Sequence, residues 1–138
     1  IQTALGGHQS IDELVGEGGR LRVQRDLAHQ LITQIPGVSC VKPQAALYMF
    51  PRLDPEIYPI ADDQQFFLEL LQETKVMLVQ GTGFNWPHPD HFRIVFLPHE
   101  ADLREAINRL ADFLARYRLR MGTDKLLAKP AKKTKAEA

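Results

Sequence analysis

Three consecutive stretches decide how this chain folds: Val76-Met77-Leu78-Val79-Gln80, then Gly81-Thr82-Gly83-Phe84-Asn85-Trp86-Pro87, and then His91-Phe92-Arg93-Ile94-Val95-Phe96-Leu97. Two apolar runs flank a loop punctuated by glycine and proline, the pattern of a wide hairpin. Strand alternation puts Phe92, Ile94 and Phe96 on one face of the second run, and Arg93, Val95 and Leu97 on the other. Arg93 is thereby at least half-buried. A guanidinium in that place is costly unless it meets an anion, and a carboxylate would take two parallel hydrogen bonds from its fork. Arg93 is therefore the candidate carboxylate-binding residue, with Gly81, Gly83, Phe84 and Asn85 as the candidate loop beside it. Two glycines two apart permit unusual backbone angles and close approach of a ligand. The plainer alternative is an edge arginine reaching water, beside a loop whose Trp86 covers an apolar seam.

Outward from the hairpin, helical periodicity takes over. Phe66, Phe67, Leu70 and Leu71 predict a helix over 62–74, with Asp62 and Asp63 at its positive end. Leu103, Ile107, Leu110 and Leu114, with Ala106 and Phe113 beside them, predict the longest helix, from 100 to about 117, after Pro98. Leu27 and Leu31, flanked by Leu21 and Ile35, predict a third over 20–34, stopped by Pro36-Gly37. Ser10-x-x-Glu13 has the form of a capping box and predicts a brief helical turn, ended by Gly16, Gly18 and Gly19. Two strands are predicted over 38–42 and 46–51 around a Pro43-Gln44 turn, followed by a loop over 51–61 holding Pro51, Pro55 and Pro59. The order helix, strand, strand, helix, strand, strand, helix implies an α/β fold of the α+β small-domain kind. It would have a small sheet of about four strands with helices packed on one face.

At 138 residues the chain is one domain's worth, long enough to bury a core without metal or disulfide staples. Its formal charge is zero but uneven. Residues 122–138 carry five lysines against Asp124 and Glu137, a net +3 that leaves −3 on residues 1–121. The mildly acidic body argues against a nucleic-acid reader, and the lysine-rich tail is expected to be mobile and solubilising. Cys40 stands alone, so no intrachain disulfide forms and a cytoplasmic home is expected. No apolar run approaches the ~20 residues of a membrane span. Ile1 opens no charged and apolar leader, and the chain is expected to be a piece of a longer one.

Smaller groups invite sharper readings. His88, His91 and His99 lie near Asp90, but Pro87 and Pro89 make the region a loop, so solvated histidines are expected and no metal. The Gly81–Phe84 stretch fails as a phosphate cradle, because no Lys-Ser or Lys-Thr follows and no helix is expected there. Arg22, Arg25 and Asp26 are expected to form a solvated helix face, and Tyr48 to pack in the core or at a sheet edge, the alternative being a hydroxyl that looks toward a cofactor.

Taken in order, Arg25-Asp26-Leu27, Ile35-Pro36-Gly37-Val38, Lys42-Pro43-Gln44-Ala45-Ala46-Leu47-Tyr48-Met49-Phe50-Pro51, Val79-Gln80-Gly81-Thr82-Gly83-Phe84-Asn85 and Phe92-Arg93-Ile94 carry a resemblance. They resemble the C-terminal part of the fold type I, class I/II pyridoxal-phosphate aminotransferases, in the branch of bacterial glutamate–pyruvate (alanine) enzymes. The likeness runs from residue 1 to about 117, and rests on order and spacing rather than on one motif. It implies that Arg93 clamps the α-carboxylate of an amino-acid or 2-oxo-acid substrate, and that the stretch 42–50 is a strand pair in a domain that closes over the active site. It further implies that residues 1–121 form the small domain, with 1–9 as a possible end of an interdomain helix and 122–138 as a tail. Pyridoxal 5'-phosphate would be bound by the large domain of the same chain, in a homodimer converting alanine and 2-oxoglutarate to pyruvate and glutamate. Lys42 and Lys75 lack the serine- and arginine-bearing context of the lysine that bonds the cofactor, so the segment alone is expected to be inactive. The family usually has glycine where this chain has Ala45, a turn device. The alternatives are a free-standing α+β module that binds small carboxylates without catalysis, and an interaction domain using the lysine tail.

Overall fold

The apolar stripes foreseen from spacing become the inner faces of three helices. The computed structural model describes residues 5–7 and 9–128. A short helix α1 (Ser10–Val15) leads into α2 (Arg20–Thr33), followed by strands β1 (Val38–Ser39), β2 (Tyr48–Met49) and β3 (Arg52–Leu53). Helix α3 (Asp63–Thr74), strands β4 (Val79–Gln80) and β5 (Phe92–Val95), and the long helix α4 (Glu100–Met121) complete the order. Short 3-10 turns follow β4 (Gly81–Phe84) and α4 (Asp124–Ala128).

The core takes Leu27, Ala28 and Ile32 from α2, Phe66, Phe67 and Leu70 from α3, and Leu103, Ile107, Leu110, Phe113 and Leu114 from α4. Phe92, Ile94 and Phe96 close it from the sheet, with the Phe67 and Phe92 rings 5.4 Å apart. Each such burial stabilises by about 1.5–3 kcal/mol, enough for the packed stripes to hold the helices without strong propensity. The predicted alternation in β5 holds: Phe92 and Ile94 are buried, while Arg93 and Val95 on the opposite face are half-buried. Asp62 caps α3 by accepting from the Gln65 N–H at 3.0 Å. Gly122, at φ 72, closes α4 in the left-handed conformation that glycine tolerates. Helix α1 has Gln9 at its cap position, so Ser10 and Glu13 are out of register for the expected capping box.

Strand β5 is the centre of an antiparallel sheet in the order β2-β5-β4. The hairpin between the two runs forms in the register Val79↔Arg93 and Gln80↔Phe92. The other side of β5 pairs Tyr48 with Val95 and Met49 with Ile94. The α/β arrangement stands, but its five strands divide between two sheets. The runs at 38–42 and 46–51 do not pair across Pro43-Gln44. Instead β1 pairs with β3, Val38 opposite Leu53, and β2 pairs with β5. The stretch 42–50 therefore holds one strand and not a strand pair. The chain turns instead at Ala46, whose φ of 62 is left-handed, and Val41 is 90% exposed with no core to enter. Strand β3 lies where a proline-rich loop was expected. Leu53, 1% exposed, anchors it, and two residues are too few for alternation to register. An Arg52–His91 bridge ties this pair to the approach of β5.

The C-terminal end is stitched to the proline-rich stretch. The buried Arg118 donates from Nη1 to the Tyr58 hydroxyl at 2.7 Å and from Nε to Asp124 at 3.1 Å. Tyr58 donates in turn to the Pro36 carbonyl at 2.6 Å, and Thr123 Oγ1 to the Ile57 carbonyl at 2.7 Å. The chain just past Met121 is thus bonded to the body, where the tail was expected to start. Residues 129–138, with the remaining tail lysines, lie outside the described residues, as do residues 1–4 and His8 of the expected interdomain helix end. Among the described residues no helix is long and apolar enough to cross a membrane.

Candidate functional site

Three backbone segments converge on Arg93. Pairing with Val79 fixes its Cα at the centre of the sheet. Tyr48 sits opposite Val95, so its side chain reaches Arg93 along the diagonal of the antiparallel pair. The 3-10 turn after β4 brings Phe84 over from the other side. The guanidinium carbon lies 4.7 Å from the Tyr48 ring centre and 4.4 Å from that of Phe84. Two aromatic faces thus flank a planar cation, each contact worth about 0.5–2 kcal/mol. They occupy its faces and leave its N–H edge unused.

That edge has no acceptor among the described residues. Arg93 Nε is buried without a hydrogen-bond partner, and no carboxylate among the described residues pairs with the guanidinium. A buried donor left unsatisfied costs about 1–3 kcal/mol, more when charged. An anion entering in the plane of the fork could satisfy these donors.

The loop around Arg93 is more ordered than its composition suggests. The Gly81 N–H donates to the His91 carbonyl at 2.8 Å, and a Cβ at Gly81 would stand 2.7 Å from that same oxygen. This glycine is thus needed for a close approach to the chain's own backbone. Gly83 has room for a side chain. Neither glycine is left-handed; that conformation falls to Asn85, at φ 59. A helical turn does begin at Gly81, contrary to the expected open loop, and it is a single 3-10 turn. Thr82 docks it onto α3: its Oγ1 and N–H donate to the two oxygens of Asp63, at 2.7 and 3.1 Å.

On the far side of the loop Asp90 gathers three donors. Trp86 Nε1 donates to Oδ1 at 2.9 Å, His91 Nδ1 lies 2.7 Å from the same oxygen, and Arg52 Nε donates to Oδ2 at 3.0 Å. Burial opposes the charge on Asp90, but the hydrogen bonds from His91, Trp86 and Arg52 outweigh it and hold the carboxyl at about 2. The Phe50 ring stacks on His91 at 5.0 Å and meets Trp86 and Phe84 edge-on. His91 is thereby committed to Asp90. Among the described residues no three His, Cys, Asp or Glu side chains come together as a metal site.

The structure thus brings Arg93, Phe84 and Tyr48 together, while Gly81 and Asn85 shape the turn from behind. Sequence reasoning missed Asp63 and Asp90 as anchors of the loop. For Asp63 the signal was present in the Asp62-Asp63 doublet: a helix N-terminus needs one cap, and the second carboxylate was free for something else. Arg25 and Asp26 are not merely a solvated face. Asp26 takes Arg25 at 2.8 Å and Lys42 at 2.9 Å, pinning the 42–43 segment to α2. The residue that carries the strain beside Ala45 is Ala46.

These features define a small α/β domain presenting a prepared, empty-handed arginine on a sheet, and the comparisons with known proteins agree on its kin. The sequence profile of the family "aminotransferase class I and II" matches residues 2–110. The chain is 62% identical over 118 residues to the alanine aminotransferase of Mycobacterium tuberculosis, covering 86% of this chain and 28% of that protein. It is 57% identical to the glutamate-pyruvate aminotransferase of Escherichia coli, over 85% of this chain and 29% of that one. The crystal structure of an aminotransferase from Escherichia coli superposes with a TM-score of 0.81 at 56% identity, covering 85% of this chain and 29% of that chain. The chain belongs to the class I and II aminotransferase family. It spans less than a third of the length of these relatives.

The family is one of pyridoxal-phosphate enzymes. The described lysines of this chain do not fit the bond to that cofactor. Lys42 is engaged with Asp26, Lys75 donates to the Gln72 carbonyl at 2.7 Å as the left-handed cap of α3, and Lys125 stands exposed in the C-terminal turn.

Proposed function

We propose that the protein carrying this chain is a pyridoxal-phosphate-dependent aminotransferase exchanging the amino group between alanine and 2-oxoglutarate, and that Arg93 holds the substrate α-carboxylate. The observation that carries this reading is the state of Arg93: a half-buried guanidinium clasped by Tyr48 and Phe84, with a buried Nε and no carboxylate partner among the described residues. The names of the alanine and glutamate-pyruvate aminotransferases that this chain resembles support the substrate pair. The cofactor, held by parts of the protein beyond these residues, supplies the electron sink for the chemistry.

This segment's own contribution is orientation. Two parallel hydrogen bonds from the fork would fix the carboxylate in one plane, and with it the direction of the bonds at the α-carbon. Tyr48 and Phe84 keep that plane from rotating and exclude water from its faces. Closure of the segment over the substrate would shield the remaining edge. The large domain and a second subunit would cover apolar residues that stand bare on this segment, such as Val41 at 90% and Met77 at 76% exposed.

The test is Arg93→Lys in the full-length enzyme. Lysine keeps the charge but loses the fork, and two charge-assisted hydrogen bonds at about 1.5–3 kcal/mol each translate into about 10²–10⁴ in kcat/KM. Steady-state kinetics within a few-fold of wild type would overturn the assignment.

A further inference from the structure

We propose that Asp63 is a positioning residue for the Arg93 clamp, acting through Thr82 to hold the Gly81–Phe84 turn so that Phe84 lies on the guanidinium. This rests on the reading of Arg93 as the carboxylate holder, and extends it to a residue on a helix that does not line the site. Asp63 is 3% exposed, rare for a carboxylate without a cationic partner, and no ion pair to it forms among the described residues. Capping of α3 does not account for it, since Asp62 already accepts from Gln65. Both Asp63 oxygens are spent on one residue, Thr82. Asp63 stands in the first turn of α3, where the helix dipole favours an acidic side chain.

The geometry makes that contact consequential. Pairing in the sheet fixes the Cα of Arg93, but its long side chain takes its direction from the two rings that clasp it. Tyr48 belongs to a strand paired directly with β5 and is fixed with it. Phe84 belongs to a turn moored by Gly81 on the His91 carbonyl at one end and Thr82 on Asp63 in the middle, with the Phe50 ring edge-on to Phe84 and Trp86 bonded to Asp90 just beyond. Phe84 itself is 43% exposed, so packing alone does not hold it. Loosening the Thr82 mooring frees one jaw of the clamp and leaves the fold intact. The guanidinium then samples several directions, and a carboxylate bound to it loses its fixed plane.

The experiment uses the full-length, cofactor-loaded enzyme. Propionate, a monocarboxylate without an amino group, serves as competitive inhibitor, and L-alanine as substrate. Thr82→Val removes the hydroxyl donor at an exposed position and keeps the backbone bond, and Asp63→Asn removes the charge and replaces one of the two acceptor oxygens with an NH2 donor. Each is expected to raise the propionate Ki and the alanine KM about tenfold, the loss of one hydrogen bond to a charged group, with kcat changed less than about threefold. Thr82→Ser restores the donor and is expected to recover both constants to within about twofold of wild type. In an Arg93→Lys background Thr82→Val is expected to move Ki less than about twofold, because its effect passes through the fork. A tenfold rise that persists in that background, failure of Thr82→Ser to recover, or wild-type constants for Thr82→Val would each overturn the proposal while leaving Arg93 as the clamp. An Arg93→Lys enzyme with unaltered kinetics would instead remove the clamp itself, and the positioning role with it.

Discussion

Arg93 and Arg118 both lie in the body of the domain beside aromatic rings, and they are opposites. Arg118 sits 5.8 Å from the Tyr58 ring and spends its fork inside the chain, on the Tyr58 hydroxyl and on Asp124. Its charge and donors are accounted for, and its product is a stitched C-terminus. Arg93 is clasped more closely, at 4.4 and 4.7 Å, yet its fork has no hydrogen-bond partner among the described residues. The difference teaches that burial and aromatic contact do not by themselves mark an arginine as functional. What marks it is donor capacity that the fold holds in place and leaves unused.

Substitution at the two places puts that contrast at risk. Arg93→Lys carries the largest expected effect, the loss of about 10²–10⁴ in kcat/KM, and it should cost the fold little, because lysine keeps a cation beside the two rings and relieves the buried, unsatisfied Nε. Arg118→Met should do the reverse: about 3 kcal/mol lost in urea unfolding, with kcat/KM of the folded enzyme close to wild type. If Arg93→Lys instead lowered the unfolding midpoint as far as Arg118→Met, the two sites would be of one kind.

Next in size is Asp90, the anchor behind the Arg93 loop. Its carboxyl is held at about 2 against an ordinary 3.8, so the charged form is favoured by folding. A carboxyl lowered in the folded state adds stability that is complete above the unfolded value and is lost as pH falls through the folded one. Wild type should therefore exceed Asp90→Asn by about 2 kcal/mol at neutral pH, the gap closing between about pH 4 and pH 2. Urea titrations at both ends of that range measure it, and a gap independent of pH would show that the charge of Asp90 is not what anchors the loop. The smallest effects separate the two loop glycines. Gly81→Ala pushes a methyl against the His91 carbonyl and should cost about 1–3 kcal/mol, whereas Gly83→Ala meets only the Gln80 side chain at ordinary contact distance and should stay within about 0.5 kcal/mol.

Much of this was legible from residue order. The stripes of α2, α3 and α4 and the two faces of β5 follow from periods of 3.6 and 2, because side-chain direction is local geometry. The half-burial of Arg93 followed from its neighbours Val95 and Leu97. Less legible were the short strands. Arg52–Leu53 gives alternation two residues to show itself, and its pairing with β1 crosses the segment that holds β2. Nor did residue order reveal Ala46, where the turn near Ala45 takes its left-handed angle.

By itself the sequence determined the elements, their buried faces and the one arginine whose place in a strand is hard to explain without an anion, since each depends on neighbours within a few positions. Only the tertiary structure decided which cations are satisfied. Arg118 finds Tyr58 across sixty positions, and Thr82 finds Asp63 across nineteen. Arg93 finds two aromatic rings but no hydrogen-bond or ion-pair partner among the described residues. Whether a charge is spent or kept depends on groups brought together from far along the chain, and no local pattern encodes that meeting.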